Sequence, residues 1–284
     1  MNSKRNYKTK TILVTGSTDG IGKQTALQLA RMGHRVIIHG RNPDKAKKAM
    51  GEIIKLSGNN DIESVSCDLS IQREIHQMAE EIQKRFDKLD VLINNAGVYQ
   101  SKRELTPDGL EVTFAVNHMA PFILTNLLFE LLKETAKQTG EARVITVSSM
   151  IHASSIEFDN LQGERYFSGS YAYSLSKLCN VLFTYYYADM VSQYDIRANC
   201  LHPGVIDTKL LRKGWGGGGA SPEEGAKNSV YLATSDRVKG VSGKYFMNMR
   251  PTRSAAISYD KSVQKRLWDI SLQLWRYRLT KPHY

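Results

Sequence analysis

Cysteine, proline and long apolar runs are all scarce in this chain of 284 residues. Its three cysteines, Cys67, Cys179 and Cys200, are too few and too widely spaced for a disulfide framework or a zinc site. They read as small core residues suited to a reducing compartment, and a cytoplasmic location is expected. Seven prolines, none gathered into a linker, leave nothing to divide the chain, and no segment repeats at a solenoid period. No stretch reaches the roughly 18 to 20 apolar residues that span a bilayer. The basic segment 1–10 leads into a short strand rather than a secretory apolar core. Seven histidines show no metal-ligand spacing, so no metal is expected.

What is present is a globular composition, 41% hydrophobic and 24% charged, which excludes disordered and collagen-like chains. Lys and Arg outnumber Asp and Glu by 39 to 28, a formal charge of +11 that suits an anionic partner. The basic residues are scattered rather than stacked on one face, so nucleic acid is not an expected partner.

Short β-branched runs at 11–15, 35–39, 62–67, 91–94, 143–148, 196–201 and 243–247 read as strands. Between them, segments such as 21–32, 71–86 and 173–194 place apolar residues at i, i+3, i+4 and i+7 and read as helices. This alternation predicts an α/β fold, a single doubly wound domain over 11–250 with a parallel sheet of about seven strands and helices on both faces. Residues 251–284 form a C-terminal extension with an amphipathic helix, where Val263, Leu267, Ile270 and Leu274 recur beside Trp268, Trp275 and Tyr277. Packing on its own domain is the favoured use of that stripe, and contact with a membrane surface is the alternative. The glycine-rich stretch at 214–219 is either a substrate lid or a plain loop, ahead of a helix capped by Ser221 with Pro222 and Glu224 behind it.

The first strand runs into Thr15-Gly16-Ser17-Thr18-Asp19-Gly20-Ile21-Gly22, where three glycines allow a tight turn and close backbone approach to a pyrophosphate at a helix N-terminus. Further pieces follow in order: Asp68 after strand three, Asn94-Asn95-Ala96-Gly97 after strand four, Asn117 in a helix, and Ser148-Ser149 ending strand five. Tyr173-Ser174-Leu175-Ser176-Lys177 then opens a helix, and Pro203-Gly204-Val205-Ile206-Asp207-Thr208 follows strand six. Together they resemble the short-chain dehydrogenase/reductase family, over about residues 10–250, and the flow of residues from Val116 to Thr184 resembles its retinol-dehydrogenase-like branch. The resemblance implies a Rossmann-type fold, hydride transfer between a nicotinamide coenzyme and a carbonyl or alcohol substrate, and pairing of copies through the Asn117 and Tyr173 helices as a homodimer or homotetramer.

Tyr173 and Lys177 lie four apart on one helix face, so their tips can share a site. A neighbouring ammonium and a cationic nicotinamide are expected to lower the phenol's pKa, fitting it to exchange a proton with the substrate oxygen. Tyr171, six from Lys177, points elsewhere. Side chains alternate along a strand, so one of Ser148 and Ser149 faces the site, and the family pattern favours Ser149 as the partner of the substrate oxygen. Pro121 has no N–H, so the Asn117 carbonyl four residues earlier loses its helical partner. In the resembled family the matching Asn supports a water leading to the lysine and tyrosine. Asp68 is placed to accept from the adenine amino group, with Leu69 beside it. The resemblance assigns Gly16, Ser17, Gly20, Ile21 and Gly22 to the pyrophosphate, Asn95, Ala96 and Gly97 to the ribose, and Pro203, Gly204, Val205 and Thr208 to the nicotinamide end. It also places Tyr173 and Lys177 in coenzyme contact.

The end of strand two, His39-Gly40-Arg41-Asn42, carries no acidic side chain for a 2′-hydroxyl and offers Arg41 for a 2′-phosphate, so NADP(H) is favoured over NAD(H). Asp19 in the glycine turn departs from many NADP-binding relatives and is expected to face solvent or cap the helix. His152, three past Ser149, reads more readily as a loop histidine without a role than as part of the substrate mouth. An apolar small molecule, an aldehyde, ketone, retinoid or steroid, is the expected substrate; the alternative is a non-catalytic NADP(H)-binding regulator on the same fold.

Overall fold

The computed structural model describes residues 9–275. Among them, eight strands form one sheet: β1 (Thr11–Val14), β2 (Arg35–Gly40), β3 (Ile62–Ser66), β4 (Val91–Asn94), β5 (Ala142–Val147), β6 (Ile196–Leu201), β7 (Lys244–Met247) and β8 (Arg250–Thr252). Their order is β3-β2-β1-β4-β5-β6-β7-β8, with the first seven parallel and β8 antiparallel to β7. The order reverses between β1 and β4, whose carboxyl ends diverge into a crevice. The eighth strand escapes the β-branched pattern because it is three residues long and holds Pro251, which fits a sheet only at its edge.

Burial on both faces explains the apolar strands. Leu13, Ile37, Leu92 and Val144 face one layer, and the alternate residues Ile12, Val14, Ile38, Ile93 and Ile145 face the other. The second layer is built on α1 (Gly20–Arg31), α2 (Pro43–Ser57) and α9 (Pro222–Thr234) through Leu29, Ile53 and Leu232. The first is built on α3 (Gln72–Arg85), α5 (Ala120–Leu127), α6 (Phe129–Thr139), α7 (Gly169–Met190) and α10 (Lys261–Leu274). As the sequence anticipates, Ser221 caps α9 by accepting from the Glu224 N–H, with Pro222 in the first turn. Two short helices are capped likewise, α4 (Val112–Phe114) by the Glu111 carboxylate and α8 (Lys209–Trp215) by the Thr208 hydroxyl, which accepts from the Leu211 N–H.

From α4 the chain continues through a π turn (Ala115–Met119) into α5. Pro121 cannot donate to the Asn117 carbonyl, and the Ala120 N–H bonds to Ala115, five residues back. The helix therefore widens at Asn117 rather than breaking there.

The apolar stripe of α10 packs on its own domain. Leu267, Trp268 and Trp275 are buried against α5 and α7, with the Trp268 ring 4.7 Å from Phe122 and stacked on Phe183 at 6.1 Å. Ser271 bonds the buried His118 at 2.9 Å, and the Trp275 indole N–H donates to His76 at 2.7 Å. Tyr277, His283 and residues 1–8 lie outside the described residues. Trp268→Ala should remove the centre of this cluster and cost about 3 to 5 kcal/mol of stability, read as a lower urea midpoint with an unchanged m-value. A midpoint like that of the unsubstituted protein would show that α10 contributes no packing energy.

Candidate active site

A cleft of about 790 Å³ runs along the carboxyl ends of the strands. Its floor on one side is the turn between β1 and α1. Gly16 takes φ +63° there, and a Cβ on it would press to 2.9 Å from the Ala96 backbone. A Cβ on Gly22 would collide with the Gly16 carbonyl and the Asn95 amide. Asn95 clasps the turn from the end of β4, its Nδ2 donating to the carbonyls of Thr15 and Gly16 at 2.8 and 3.3 Å. Gly16, Gly20, Ile21, Gly22, Asn95, Ala96 and Gly97 all line the cleft. This glycine-rich cradle at a helix N-terminus fits a dinucleotide pyrophosphate.

Ser17 is the exception. Its fully buried hydroxyl donates to the Val14 carbonyl and accepts from the His39 N–H, while its own N–H donates to the His39 carbonyl. With donor and acceptor used inside the fold, Ser17 is not brought to the cleft, and the neighbouring Thr18 lines it instead. Asp19 caps α1 by accepting from the Gly20 N–H and pairs with Lys209 at 2.5 Å, which holds its carboxyl below the usual range.

At the adenosine end, Arg41 and Asp68 face each other loosely, Nη1 to Oδ2 at 3.9 Å, and the Arg41 side chain is 80% exposed. The Asp68 Oδ1 accepts from the Ser70 N–H and hydroxyl, and Leu69 lines the wall. His39 belongs to no spaced motif, yet its Nδ1 accepts from the Gly16 N–H at 3.0 Å and its Nε2 bonds the Cys67 carbonyl at 3.1 Å. An imidazole holds the glycine turn against the ends of β2 and β3, which no local pattern announces.

At the other end of the cleft, α7 carries Tyr173 and Lys177 into the wall. The Lys177 ammonium lies 5.5 Å from the centre of the Tyr173 ring and donates to the Val147 carbonyl at 3.0 Å. Burial lowers the Lys177 pKa to about 8. Tyr173 is pushed up to about 12 by burial, against which its hydrogen bond with Ser149 acts. The expected lowering by the ammonium is not found: burial raises the phenol instead, and Lys177 lies over the ring and bonds a carbonyl rather than the phenol oxygen. Ser149, not Ser148, is Tyr173's partner: the Ser148 hydroxyl donates to the Lys177 carbonyl at 2.7 Å. Tyr171 turns away to meet the Tyr166 ring at a tilt, 5.4 Å between centres.

Asn117 is fully buried behind the cleft. Its side chain accepts from the Val98 N–H and donates to the Val98 carbonyl and the Ser176 hydroxyl, at 2.8, 3.0 and 3.0 Å. It stands with the Lys177 ammonium beside Gly97, where a Cβ would lie 3.5 Å from both side chains. Pro203, Gly204, Val205 and Thr208 form the opposite lip. Two aromatic residues without a sequence motif complete the mouth. Trp215, at the end of α8, sits 5.2 Å from the rings of both Tyr99 and Tyr173. Gly214 lies against the Tyr99 ring, so the glycine-rich stretch begins as a packed helix end.

Three imidazoles are held neutral by burial: His39 at about 4, His118 at about 3 and His202 at about 4. Each binds a proton in the unfolded chain below about 6.5 that it refuses in the native state. Stability should thus be fully present above that pH and fall as pH drops toward 4, by about 1.4 kcal/mol per pH unit for each residue. Scanning calorimetry from pH 7.5 to 5.0 should show a falling Tm, and a flat Tm would contradict the buried neutral assignment.

Comparison with known proteins accords with this geometry. The short chain dehydrogenase family matches residues 10–215. Human retinol dehydrogenase 14 is 37% identical over 290 residues, covering 92% of this chain and 85% of that protein. Human polyprenol dehydrogenase is 38% identical over 277 residues, covering 92% and 84%. Among solved structures, a short-chain dehydrogenase from Escherichia coli CFT073 complexed with NADPH superimposes with a TM-score of 0.70, at 25% identity over 86% of this chain and 98% of that one. The chain belongs to the short-chain dehydrogenase/reductase family of oxidoreductases, in the branch of the retinol dehydrogenases.

Proposed function

We propose that the protein is an NADP(H)-dependent oxidoreductase that interconverts a carbonyl and an alcohol on an apolar substrate. The observation that carries this reading is the meeting of Ser149, Tyr173 and Lys177 at one end of a cleft whose other end is a glycine-rich cradle. When bound there, the nicotinamide supplies or accepts the hydride.

The chain's own residues handle the proton. Burial keeps the Tyr173 phenol protonated near neutral pH, the form that donates to a carbonyl oxygen during reduction. Ser149 holds that oxygen against the phenol. Lys177 has three N–H donors and spends one on Val147, leaving two for a ribose hydroxyl. Its positive charge stabilises the phenolate left after proton transfer. Asn117 braces Val98 and the α7 backbone partner Ser176, and its carbonyl, denied a bond by Pro121, is suited to hold a water that returns the proton.

Arg41 supports NADP(H), as does the solved relative crystallised with NADPH. Asp19 does not oppose it, since its charge is spent on Lys209 and the helix cap. The relatives' names and the ring-walled mouth of Tyr99 and Trp215 support a retinoid- or isoprenoid-like alcohol or its aldehyde. A cytoplasmic location belongs to this reading, supported by three free, buried thiols. A homodimer or homotetramer would need a surface other than the expected α5 and α7 face, because α10 covers it.

NADPH oxidation with a panel of aldehydes, ketones, steroids and retinoids tests the activity. Tyr173→Phe should lower kcat by at least about 100-fold while leaving the NADPH Kd nearly unchanged, and Lys177→Ala should damage both. Wild-type turnover by Tyr173→Phe would remove the proposed acid. Arg41→Ala should weaken NADPH by about 10- to 100-fold, the worth of a charge-assisted hydrogen bond of roughly 1.5 to 3 kcal/mol, and leave NADH almost unaffected in fluorescence titrations. Tighter binding of NADH than NADPH by the unsubstituted protein would reverse the coenzyme assignment.

A further inference from the structure

One peptide unit next to the catalytic hydroxyl is gripped at both polar ends by histidines. The carbonyl of Ser149 accepts from His152 Nδ1 at 2.6 Å, and the N–H of Met150 donates to His202 Nδ1 at 3.1 Å. These are the two halves of the Ser149–Met150 peptide. Each histidine belongs to a different part of the chain. His202 follows the last residue of β6, directly before Pro203, its N–H donating to the Phe246 carbonyl at 2.9 Å. His152 accepts at Nε2 from the Ala255 N–H at 3.0 Å, in the C-terminal extension, with the Tyr245 ring edge-on at 5.2 Å.

These bonds fix the tautomers. Nδ1 of His152 faces a carbonyl and must carry the proton, while its Nε2 faces an N–H and must accept. Nδ1 of His202 likewise faces an N–H and must be bare. Because the peptide is rigid and covalently joined to the Ser149 Cα, its displacement would shift that Cα and with it the hydroxyl that bonds Tyr173.

We propose that His152 and His202 are positioning residues that lock the Ser149–Met150 peptide, and so hold the Ser149 hydroxyl in register with Tyr173, tying catalytic geometry to the C-terminal extension and to the Pro203 loop. The inference rests on the proposed reductase activity for its kinetic part only. It differs from a packing role because what matters is the donor at His152 Nδ1 and the acceptor at His202 Nδ1, not the volume of either ring.

Asparagine places an amide group close to where Nδ1 stands, so His152→Asn keeps the donor to Ser149 and His202→Asn keeps the acceptor for Met150. Leucine keeps bulk and loses both. With NADPH and decanal, or whichever aldehyde of the panel is turned over fastest, His152→Leu and His202→Leu should each lower kcat by about 10- to 100-fold, with the NADPH Kd unchanged. Each Asn variant should recover most of that loss. In a Ser149→Ala background the same Leu substitutions should cost less than about twofold, because the residues act through Ser149. Equal losses in both backgrounds, or Asn variants as poor as Leu, would overturn the proposal. Backbone amide exchange of residues 149–153, measured without coenzyme, gives a second readout. It should quicken at Met150 in His202→Leu but not in His202→Asn. Unchanged exchange in His202→Leu would also overturn it, whatever the activity panel shows, whereas exchange as expected in a protein that turns over nothing would keep the clamp and remove the reductase reading.

Discussion

The Lys177 ammonium ends at the carboxyl edge of the sheet, 2% exposed, with the Val147 carbonyl as its hydrogen-bond acceptor. Stripping an ammonium of water costs several kcal/mol unless neighbouring dipoles replace it. Much of the surrounding architecture follows from meeting that cost. β5 must stop at Val147 so that its last carbonyl points at the charge. Ser148 must bond the Lys177 backbone so that α7 keeps its height on the sheet. Gly97 keeps the space beside the charge open, a Cβ there lying in contact with both Lys177 and Asn117. The part-paid ammonium is also what makes the cleft receptive to a polar, hydroxyl-rich ligand beside an otherwise apolar wall.

The irregular segments gather along the cleft. The π turn at Ala115–Met119, the glycine turn after β1 and the two-histidine grip on the Ser149–Met150 peptide each break regular structure where the cleft needs a backbone group or a side chain redirected. Elsewhere the fold is regular, with capped helices and strands buried on both faces. The contrast places rigidity in the scaffold and exceptions at the chemistry.

The C-terminal extension joins these two regimes. Through Trp268 and Leu267 it seals the outer face of α5 and α7, the helices that present Asn117's neighbours, Tyr173 and Lys177. Through Ala255 it reaches His152 and the serine loop. A segment read from sequence as an appendage with a helical stripe thus supports the cleft from behind and from its rim.

Local chemistry determined the strands, most helices and the site's cast. β-branched runs, the glycine turn, the four-residue spacing of Tyr173 and Lys177, and the missing donor of Pro121 each act over a few residues, so they are written in the chain's own order. Asp19's capping role was legible for the same reason. Tertiary structure decided the rest. Ser17 faces inward because His39, 22 residues away, takes its hydroxyl. Tyr173 keeps its proton because burial, to which the Tyr99 and Trp215 rings contribute, outweighs its hydrogen bond with Ser149. β8 forms because β7 offers it an edge, despite its proline. Such outcomes depend on groups far apart in sequence competing for the same hydrogen bond, volume or water, and that competition exists only once the sheet has brought them together.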